Sequence, residues 1–406
     1  MTRIALDLAG EGWSVADLLE ALPIVLDSDP RLVLILVTGM AGVRDELTRS
    51  GIALGARVQV RAAAQIVPSG LEAVRVVRGR RDCGVRVATR LVRDGAADAM
   101  VSIAPVEAVV AAAQFTYGTL PGATRAVLAA HLGGLGVGGF PRYAVSARNN
   151  VSARNDVPAR NDVPAPNNGV VLCDAGAAVM ATPDELVQAA LLAAAYAELR
   201  GVTGRPRVAL LSAGPALVEA SRAGVGEILR AIGMDDVGSW TADRVLAAAG
   251  LTGRAPADPA GQGLARGTPI GGQSHQGVDV VLTEGRTGAV LLAAVQAMAS
   301  EGSWAAPKAA GGGGGPVAAE SEGGLDPEWG SLVDRDVLGG TIVLGVDGVA
   351  AHAGRPGGGS VDAAGSALTT AVSTATLAVR GDLVDRSRAA MAALVSRRRT
   401  LAGMPG

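Results

Sequence analysis

A chain of 406 residues, 49% of them apolar, is long enough to bury a large core, as one large α/β domain or as two lobes. Aromatic residues make up only 2%, so that core must consist mainly of Ala, Val and Leu. The formal net charge of −2 excludes a global attraction to nucleic acid or anionic lipid, and two cysteines are too few for a disulfide framework.

The cysteine and lysine content limits the kinds of ligand site that the chain can form. Cys83 and Cys173 lack the spacing of metal ligands and fit a reducing cytosol. We expect no metal site and no bound cofactor. Lys308 is the only lysine, so a phosphate would have to be held by arginine or by backbone N–H groups. Asp7 interrupts the first apolar run, which argues against a signal peptide, and no apolar run reaches the roughly 18 residues that span a membrane. A cytoplasmic protein is therefore expected.

The chain opens with the outline of a strand, a glycine turn and a helix start. The stretch RIALDLAGEGWS (Arg3–Ser14) leads from apolar residues through Asp7 to Gly10 and Gly12. This geometry suits phosphate, because the free N–H groups at the start of a helix bind anions. Glu11 places a negative charge in the same turn, which leaves open whether the turn still holds an anion.

Strand-like and helix-like runs alternate after this turn. RLVLILVTG (Arg31–Gly39) is a continuous apolar run, typical of a strand buried on both faces, and DAMVSIA, GVVLCDAGAAV, RVALLSAG and VDVVLTEG each precede a helix-like run. These repeated units predict an α/β fold with a doubly wound, mostly parallel sheet between two layers of helices. Paired strands turning at Asp347-Gly348 and two helices complete the chain. We expect the ligand crevice at the carboxyl ends of the strands.

Two segments interrupt the alternation. Residues 145–168 repeat a polar six-residue unit four times, which predicts a disordered insert. Residues 305–324 are rich in glycine and predict a flexible linker. The remainder is expected to form one α/β domain over residues 1–406.

Taken in order, these motifs resemble the phosphate acyltransferases of phospholipid synthesis, the PlsX family. The family's first turn, Asp-Ala-Met-Gly-Gly-Asp, stands here as Asp7 to Gly12, and its basic helix corresponds to RRDCGV (Arg80–Val85). The runs DGAADAMVS, YGTLPGATRAVL, VLCDAGAAV, RVALLSAG, DVVLTEGRTGAV and GGTIVLGVDG follow at matching separations over most of the chain. The resemblance implies a fold similar to that of phosphotransacetylases and the isocitrate dehydrogenase group.

The resemblance also implies an activity and partners. Members of the family transfer an acyl chain from acyl carrier protein to inorganic phosphate, and the acyl-phosphate feeds glycerol-3-phosphate acylation. We therefore expect a homodimer that uses acyl carrier protein and inorganic phosphate, with a glycerol-3-phosphate acyltransferase as a further partner and no nucleic acid. Family members associate peripherally with membranes. The glycine-rich linker stands where a docking helix would be sought, and it offers neither an apolar face nor more than one lysine.

Phosphate attack on a thioester needs an anion cradle, a cation and a donor that faces the developing oxyanion. From the resemblance we expect Asp7, Arg80, Arg81 and His352 to form the catalytic group. The contacts to phosphate and substrate are expected from Gly10, Gly12, Ser102, Asp174, Gly176, Thr287 and Gly288. In this hypothesis the Gly10–Gly12 and Thr287–Gly288 turns hold one phosphate together.

Several turns depart from the family pattern. Pro105 removes a backbone N–H, and Glu107 stabilises its own helix by about 0.3–1 kcal/mol while repelling an incoming anion. Ala178 and Ala289 stand where the family has asparagine, and Cys83 stands in place of a serine.

Each candidate also has a purely structural interpretation. Asp7 and its glycines would form an ordinary tight turn, His352 would be a loop histidine, and both cysteines would be buried small residues. The arginines would belong to solvated helix faces; they are Arg75, Arg78, Arg80, Arg81 and Arg125. Two other functions therefore stay open: a non-catalytic paralogue that binds carrier protein or a partner enzyme, and a related acyl transfer in a specialised pathway with another nucleophile.

Overall fold

The computed structural model describes residues 1–10, 14–70, 72–133, 169–178, 180–212, 224–249, 251, 277–300, 340–354 and 361–402. The predicted insert (145–168), the predicted linker (305–324), Glu11 and Gly12 lie outside the described residues.

Eleven strands in the described residues form one sheet. They are β1 (Thr2–Asp7), β2 (Leu32–Thr38), β3 (Val58–Ala62), β4 (Ala99–Ser102), β5 (Val127–Leu132), β6 (Val170–Cys173), β7 (Arg207–Leu211), β8 (Asp235–Trp240), β9 (Val280–Leu282), β10 (Thr341–Leu344) and β11 (Ala350–His352). Their order across the sheet is β3-β2-β1-β4-β11-β10-β5-β6-β9-β7-β8. The predicted hairpin at Asp347-Gly348 is present as β10 and β11, which pair antiparallel.

Helices cover both faces of the sheet, as the alternation predicted. One face carries α1 (Val15–Glu20), α2 (Leu22–Ser28), α3 (Val43–Arg49), α7 (Pro183–Leu199), α8 (Val225–Ala231), α11 (Val361–Arg380) and α12 (Leu383–Ala402). The other carries α4 (Glu72–Gly79), α5 (Gly84–Arg93), α6 (Val106–Tyr117), α9 (Ala242–Ala248) and α10 (Gly285–Ser300). Alternate strand residues point into the two cores: Ile4 and Leu6 into one, Ala5 into the other. The predicted α/β fold with a mostly parallel sheet is confirmed.

The strands of the two halves run in opposite directions. β3, β2, β1, β4 and β11 are parallel to one another, and so are β6, β9, β7 and β8. Between them lie β10 and β5, joined by three successive antiparallel pairings, β11–β10, β10–β5 and β5–β6. Because the number of antiparallel pairings is odd, β6, β9, β7 and β8 run opposite to β3, β2, β1, β4 and β11. The carboxyl ends of the two sets of strands therefore lie at opposite edges of the sheet.

The two halves of the sheet repeat one arrangement of strands. The succession β1-β4-β11-β10 is matched in direction and register by β7-β9-β6-β5, so that Ser102 corresponds to Thr283 and His352 to Asp174. The matching turns share a contact as well. The Gly354 N–H donates to Nδ1 of His352 at 3.1 Å, and the Gly176 N–H donates to Oδ1 of Asp174 at 3.2 Å.

An arginine–aspartate clamp ties each half together at the amino ends of its central strands. The Arg3 guanidinium donates to Asp98 at 2.5 Å, and the Arg3 N–H donates to the same carboxylate at 2.8 Å. Arg207 and Asp279 repeat both bonds at 2.7 and 2.8 Å. The clamps stand at the ends of the strands away from the glycine turns.

Candidate functional site

The first edge, formed by the carboxyl ends of β1, β4 and β11, brings Asp7, Ser102 and His352 onto neighbouring strands. Asp7 is paired in register with Ser102, and Ser102 with His352. All three are buried. Three of the residues predicted to form the site therefore lie side by side.

Asp7 and Ser102 lock two turns to each other. Ser102 Oγ donates to Oδ2 of Asp7 at 2.7 Å, and the Ala9 N–H donates to Oδ1 at 3.0 Å. Ser102 Oγ in turn accepts from the Ala104 N–H at 3.0 Å. Complete burial raises the pKa of Asp7 to about 7, although the bonds from Ser102 and Ala9 oppose that rise. Both carboxylate oxygens accept hydrogen bonds from the protein, and the catalytic role of Asp7 stays a prediction.

Two glycines permit the close packing of this edge. A Cβ on Gly10 would stand 2.4 Å from the carbonyl oxygen of Ile103. A Cβ on Gly84, the first residue of α5, would stand 2.0 Å from Oδ1 of Asp7. The first edge therefore consists of two backbone turns and a helix start held in contact around one buried carboxylate.

Arg80 and Arg81 lie in the loop that enters α5, next to this edge, and both are exposed. Arg80 donates to the side-chain oxygen of Gln65, and Arg90 donates to the carbonyl of Arg81. Cys83 is fully buried, and burial raises the pKa of its thiol, which supports its interpretation as a packing residue.

Glu107 accepts a hydrogen bond from a neighbouring loop. Its Oε1 accepts from the Gly70 N–H at 3.0 Å. The carboxylate that was expected to repel an anion at the start of α6 thus holds the loop before α4.

The second edge, formed by the carboxyl ends of β6, β9 and β7, is organised by Asp174, which is 1% exposed. Its Oδ1 accepts from the N–H groups of Leu128 (3.1 Å), Gly176 (3.2 Å) and Ala177 (2.8 Å). Its Oδ2 accepts from Nη1 of Arg125 at 2.7 Å. Asp174 and Gly176 therefore shape the turn after β6, and their role as phosphate contacts stays a prediction.

Arg125 joins this turn to the start of α7. Its Nε lies 3.2 Å from Oε1 of Glu185, and Glu185 forms a reciprocal cap with Thr182. Burial alone would raise the pKa of Glu185, but the Thr182 N–H and the charge of Arg125 bring it below its usual value. Glu185 was missed as a member of this network. The capping signature Thr182-Pro-Asp-Glu185 before an apolar run could have indicated it.

Thr287 and Gly288 lie in the first turn of α10, at the second edge. A Cβ on Gly288 would stand 2.0 Å from the carbonyl oxygen of Asp174, so this glycine lets α10 approach the Asp174 turn. Thr287 is exposed.

The two predicted phosphate turns are not brought together within one chain. Gly10 follows β1 and Thr287 follows β9, six strands away and at the opposite edge. At about 4.8 Å per strand the separation across the sheet is about 29 Å. The hypothesis of a single phosphate held by both turns does not fit this topology, because β10, β5 and β6 reverse the strand direction between them.

The described ranges contain no group of three or more His, Cys, Asp or Glu side chains that could hold a metal ion. No helix within them is both long and apolar enough to cross a bilayer.

The class of fold is that of the phosphotransacetylases. The phosphotransacetylase from Streptococcus pyogenes superposes with a TM-score of 0.51, over 92% of this chain and 94% of that one, at 16% identity. This likeness concerns the fold alone.

The sequence is similar to proteins of one family. Residues 2–140 match the model of the family described as "Fatty acid synthesis protein". A protein named phosphate acyltransferase from Exiguobacterium sp. is 32% identical over 245 residues, 60% of this chain and 57% of that protein. A second with that name, from Myxococcus xanthus, is 34% identical over 157 residues, 39% of this chain and 36% of that protein. The amino-terminal third of the chain thus matches this family model, and the chain spans less than two thirds of the length of these relatives named phosphate acyltransferase.

Proposed function

We propose that this protein transfers an acyl group from the thioester of acyl carrier protein to inorganic phosphate, with phosphate bound at the first edge. The relation to proteins named phosphate acyltransferase carries the proposal. The segment that matches the family model, residues 2–140, contains Asp7, Gly10, Arg80, Arg81 and Ser102. This overlap supports the first edge over the second.

The reaction balances without a covalent protein intermediate. An oxygen of hydrogen phosphate attacks the thioester carbonyl carbon, the carbon–sulfur bond breaks, and the departing thiolate takes the proton that hydrogen phosphate carried. The products are acyl-phosphate and the free carrier thiol. In this proposal Arg80 and Arg81 hold the phosphate charge, while Asp7 and Ser102 fix the turns whose N–H groups face it. His352 orients the anion from the neighbouring strand.

The test measures acyl-phosphate formed from long-chain acyl carrier protein and phosphate. Losing two charge-assisted contacts at about 1.5–3 kcal/mol each should raise the KM for phosphate at least tenfold in the Arg80→Ala/Arg81→Ala variant. Thr287→Val, at the second edge, should leave the KM within about twofold of the parent protein. The opposite ranking would move the phosphate site to the second edge, and no product from the parent protein would refute the activity.

A second candidate is a protein that binds carrier protein without turnover. Two observations favour it: Pro105 stands at the start of α6 without an N–H, and both oxygens of Asp7 are engaged internally. Carrier binding by the parent protein with no acyl-phosphate would support this candidate. Product formed only when another nucleophile replaces phosphate would support acyl transfer in a specialised pathway.

We further propose a cytoplasmic homodimer that hands its product to a glycerol-3-phosphate acyltransferase. The similarity to the fatty acid synthesis family and to proteins named phosphate acyltransferase supports this proposal.

A further inference from the structure

The surface formed by α4, the 80–83 loop and α5 is strongly basic. Residues 72–94 contain seven arginines and three acids, a surplus of four positive charges in a chain whose net charge is −2. We call it the basic surface; its arginines are Arg75, Arg78, Arg80, Arg81, Arg86, Arg90 and Arg93.

Most of these charges have no acidic partner. Within the described ranges, ion pairs are formed by Arg75 with Glu72 and by Arg93 with Asp94, and the other five arginines form none within 4.0 Å. Burial lowers the pKa of Arg86, and the charges of Arg90 and Arg81 lower it further. Like charges held this close repel one another, so the basic surface favours an anionic ligand.

Apolar groups are exposed between these charges. Phe115 of α6 is 41% exposed and lies beneath the guanidinium of Arg78, 5.1 Å from its carbon to the ring centre. Val74 on α4 is 37% exposed, and Ile66, beside the Gln65 that binds Arg80, is 57% exposed. A mixture of arginine and exposed apolar side chains is typical of protein interfaces.

The basic surface adjoins the first edge. Gly84, where α5 begins, packs against the carboxylate of Asp7, and the Gly84 N–H donates to the Gln65 carbonyl at 3.2 Å. A partner bound to α4 and α5 would therefore sit beside the Asp7–Ser102 turns.

We propose that the basic surface docks the acidic carrier protein and so presents its thioester to the first edge. The inference rests on the proposed function, which supplies the partner. The charges extend too far for a phosphate ion alone: α5 is 10 residues long, about 15 Å at 1.5 Å per residue. Anionic lipid is disfavoured, since stable membrane binding needs a continuous apolar face and the exposed apolar groups here are scattered among arginines.

The experiment compares two acyl donors that differ only in the carrier. Arg75→Glu/Arg78→Glu reverses two exposed charges that take no part in the proposed phosphate site. It should raise the KM for acyl carrier protein at least tenfold and flatten the salt dependence of kcat/KM, because long-range attraction is lost. With an acyl-pantetheine thioester, kcat/KM should stay within about twofold. Arg44→Glu, an exposed charge reversal on α3, should change neither.

Equal losses with both donors, or no loss with acyl carrier protein, would overturn the proposal. Binding of the parent protein to vesicles containing phosphatidylglycerol that is abolished by Arg75→Glu/Arg78→Glu, with no change in carrier affinity, would instead assign the surface to membranes. A titration of fluorescent carrier protein separates this proposal from the activity. If no variant makes acyl-phosphate, a tenfold weaker Kd for Arg75→Glu/Arg78→Glu but not for Arg44→Glu still supports docking.

Discussion

Gly84→Ala tests the packing of the first edge directly. The new methyl group would stand 2.0 Å from Oδ1 of Asp7 and 2.7 Å from Cβ of Ala9. Asp7 cannot swing aside freely, because Ser102 and Ala9 each donate a hydrogen bond to it in a fully buried position. The helix start, the carboxylate or both must shift.

The expected cost combines two effects. Forcing a methyl group into a packed interior costs about 1–3 kcal/mol. Weakening the hydrogen bonds of a buried carboxylate adds about 1.5–3 kcal/mol. We therefore expect Gly84→Ala to lower the free energy of unfolding by about 3–5 kcal/mol, the sum of middling values.

Urea denaturation followed by circular dichroism measures this loss. The matched control is Gly79→Ala, in the last turn of α4, where a Cβ would meet nothing within 4 Å. That control should be neutral or stabilising by up to about 1 kcal/mol. Adding Asp7→Ala to Gly84→Ala should reveal a coupling above about 1 kcal/mol, because the clashing oxygen is gone. Equal stabilities for Gly84→Ala and Gly79→Ala would refute the described contact.

Two further predictions concern the buried carboxylates. Because burial raises the pKa of Asp7 to about 7, the folded protein retains a proton that the unfolded chain releases near pH 4. The parent protein should therefore lose about 1.4 kcal/mol of stability per pH unit as the pH rises from about 4 to about 7. Asp7→Asn has no carboxyl group at this position and should not show this loss. Urea denaturation at pH 5 and pH 8 measures the free energy of unfolding of both proteins. Between these pH values the difference in that free energy should shift by about 3 kcal/mol in favour of Asp7→Asn, and a constant difference would contradict the raised pKa. Arg125→Met should cost about 3–5 kcal/mol, because it leaves Asp174 buried without its cation. Arg388→Met, which breaks an exposed pair with Asp347, should cost less than about 1 kcal/mol, and similar losses for both would argue against the buried network.

The strands and their order along the chain could be predicted because buried parallel strands leave a local signature. The run Arg31–Gly39 contains β2, and the turn at Asp347-Gly348 joins β10 to β11. Asp7 and Ser102, both predicted to contribute to the site, lie in register at the ends of β1 and β4 and share a hydrogen bond, while their role in binding stays a prediction.

The reversal of the second half could not be predicted in the same way. Strand direction in the sheet depends on which partner each strand pairs with, and β10, β5 and β6 pair across long stretches of sequence. Apolar periodicity is the same for either direction. The sequence motifs therefore predicted that the turns around Asp7 and Thr287 lie close together, although they are at opposite edges of the sheet.

The buried polar network of the second edge could not be predicted from local sequence patterns either. Arg125 lies 49 residues before Asp174 in the sequence, and the repeat segment stands between them. A single arginine in a loop has no local feature that separates a buried ion pair from a solvated side chain.

The arginine–aspartate clamps help to explain how this chain tolerates unusual turns. Arg3–Asp98 and Arg207–Asp279 fasten the strands at their amino ends, whereas Pro105 and Ala178 occupy loops at the carboxyl ends. Substitutions in those loops leave both fastenings untouched. Residues of the carboxyl-end loops can therefore change, and with them the ligands that the loops bind, while the ion pairs that hold the strands together stay the same.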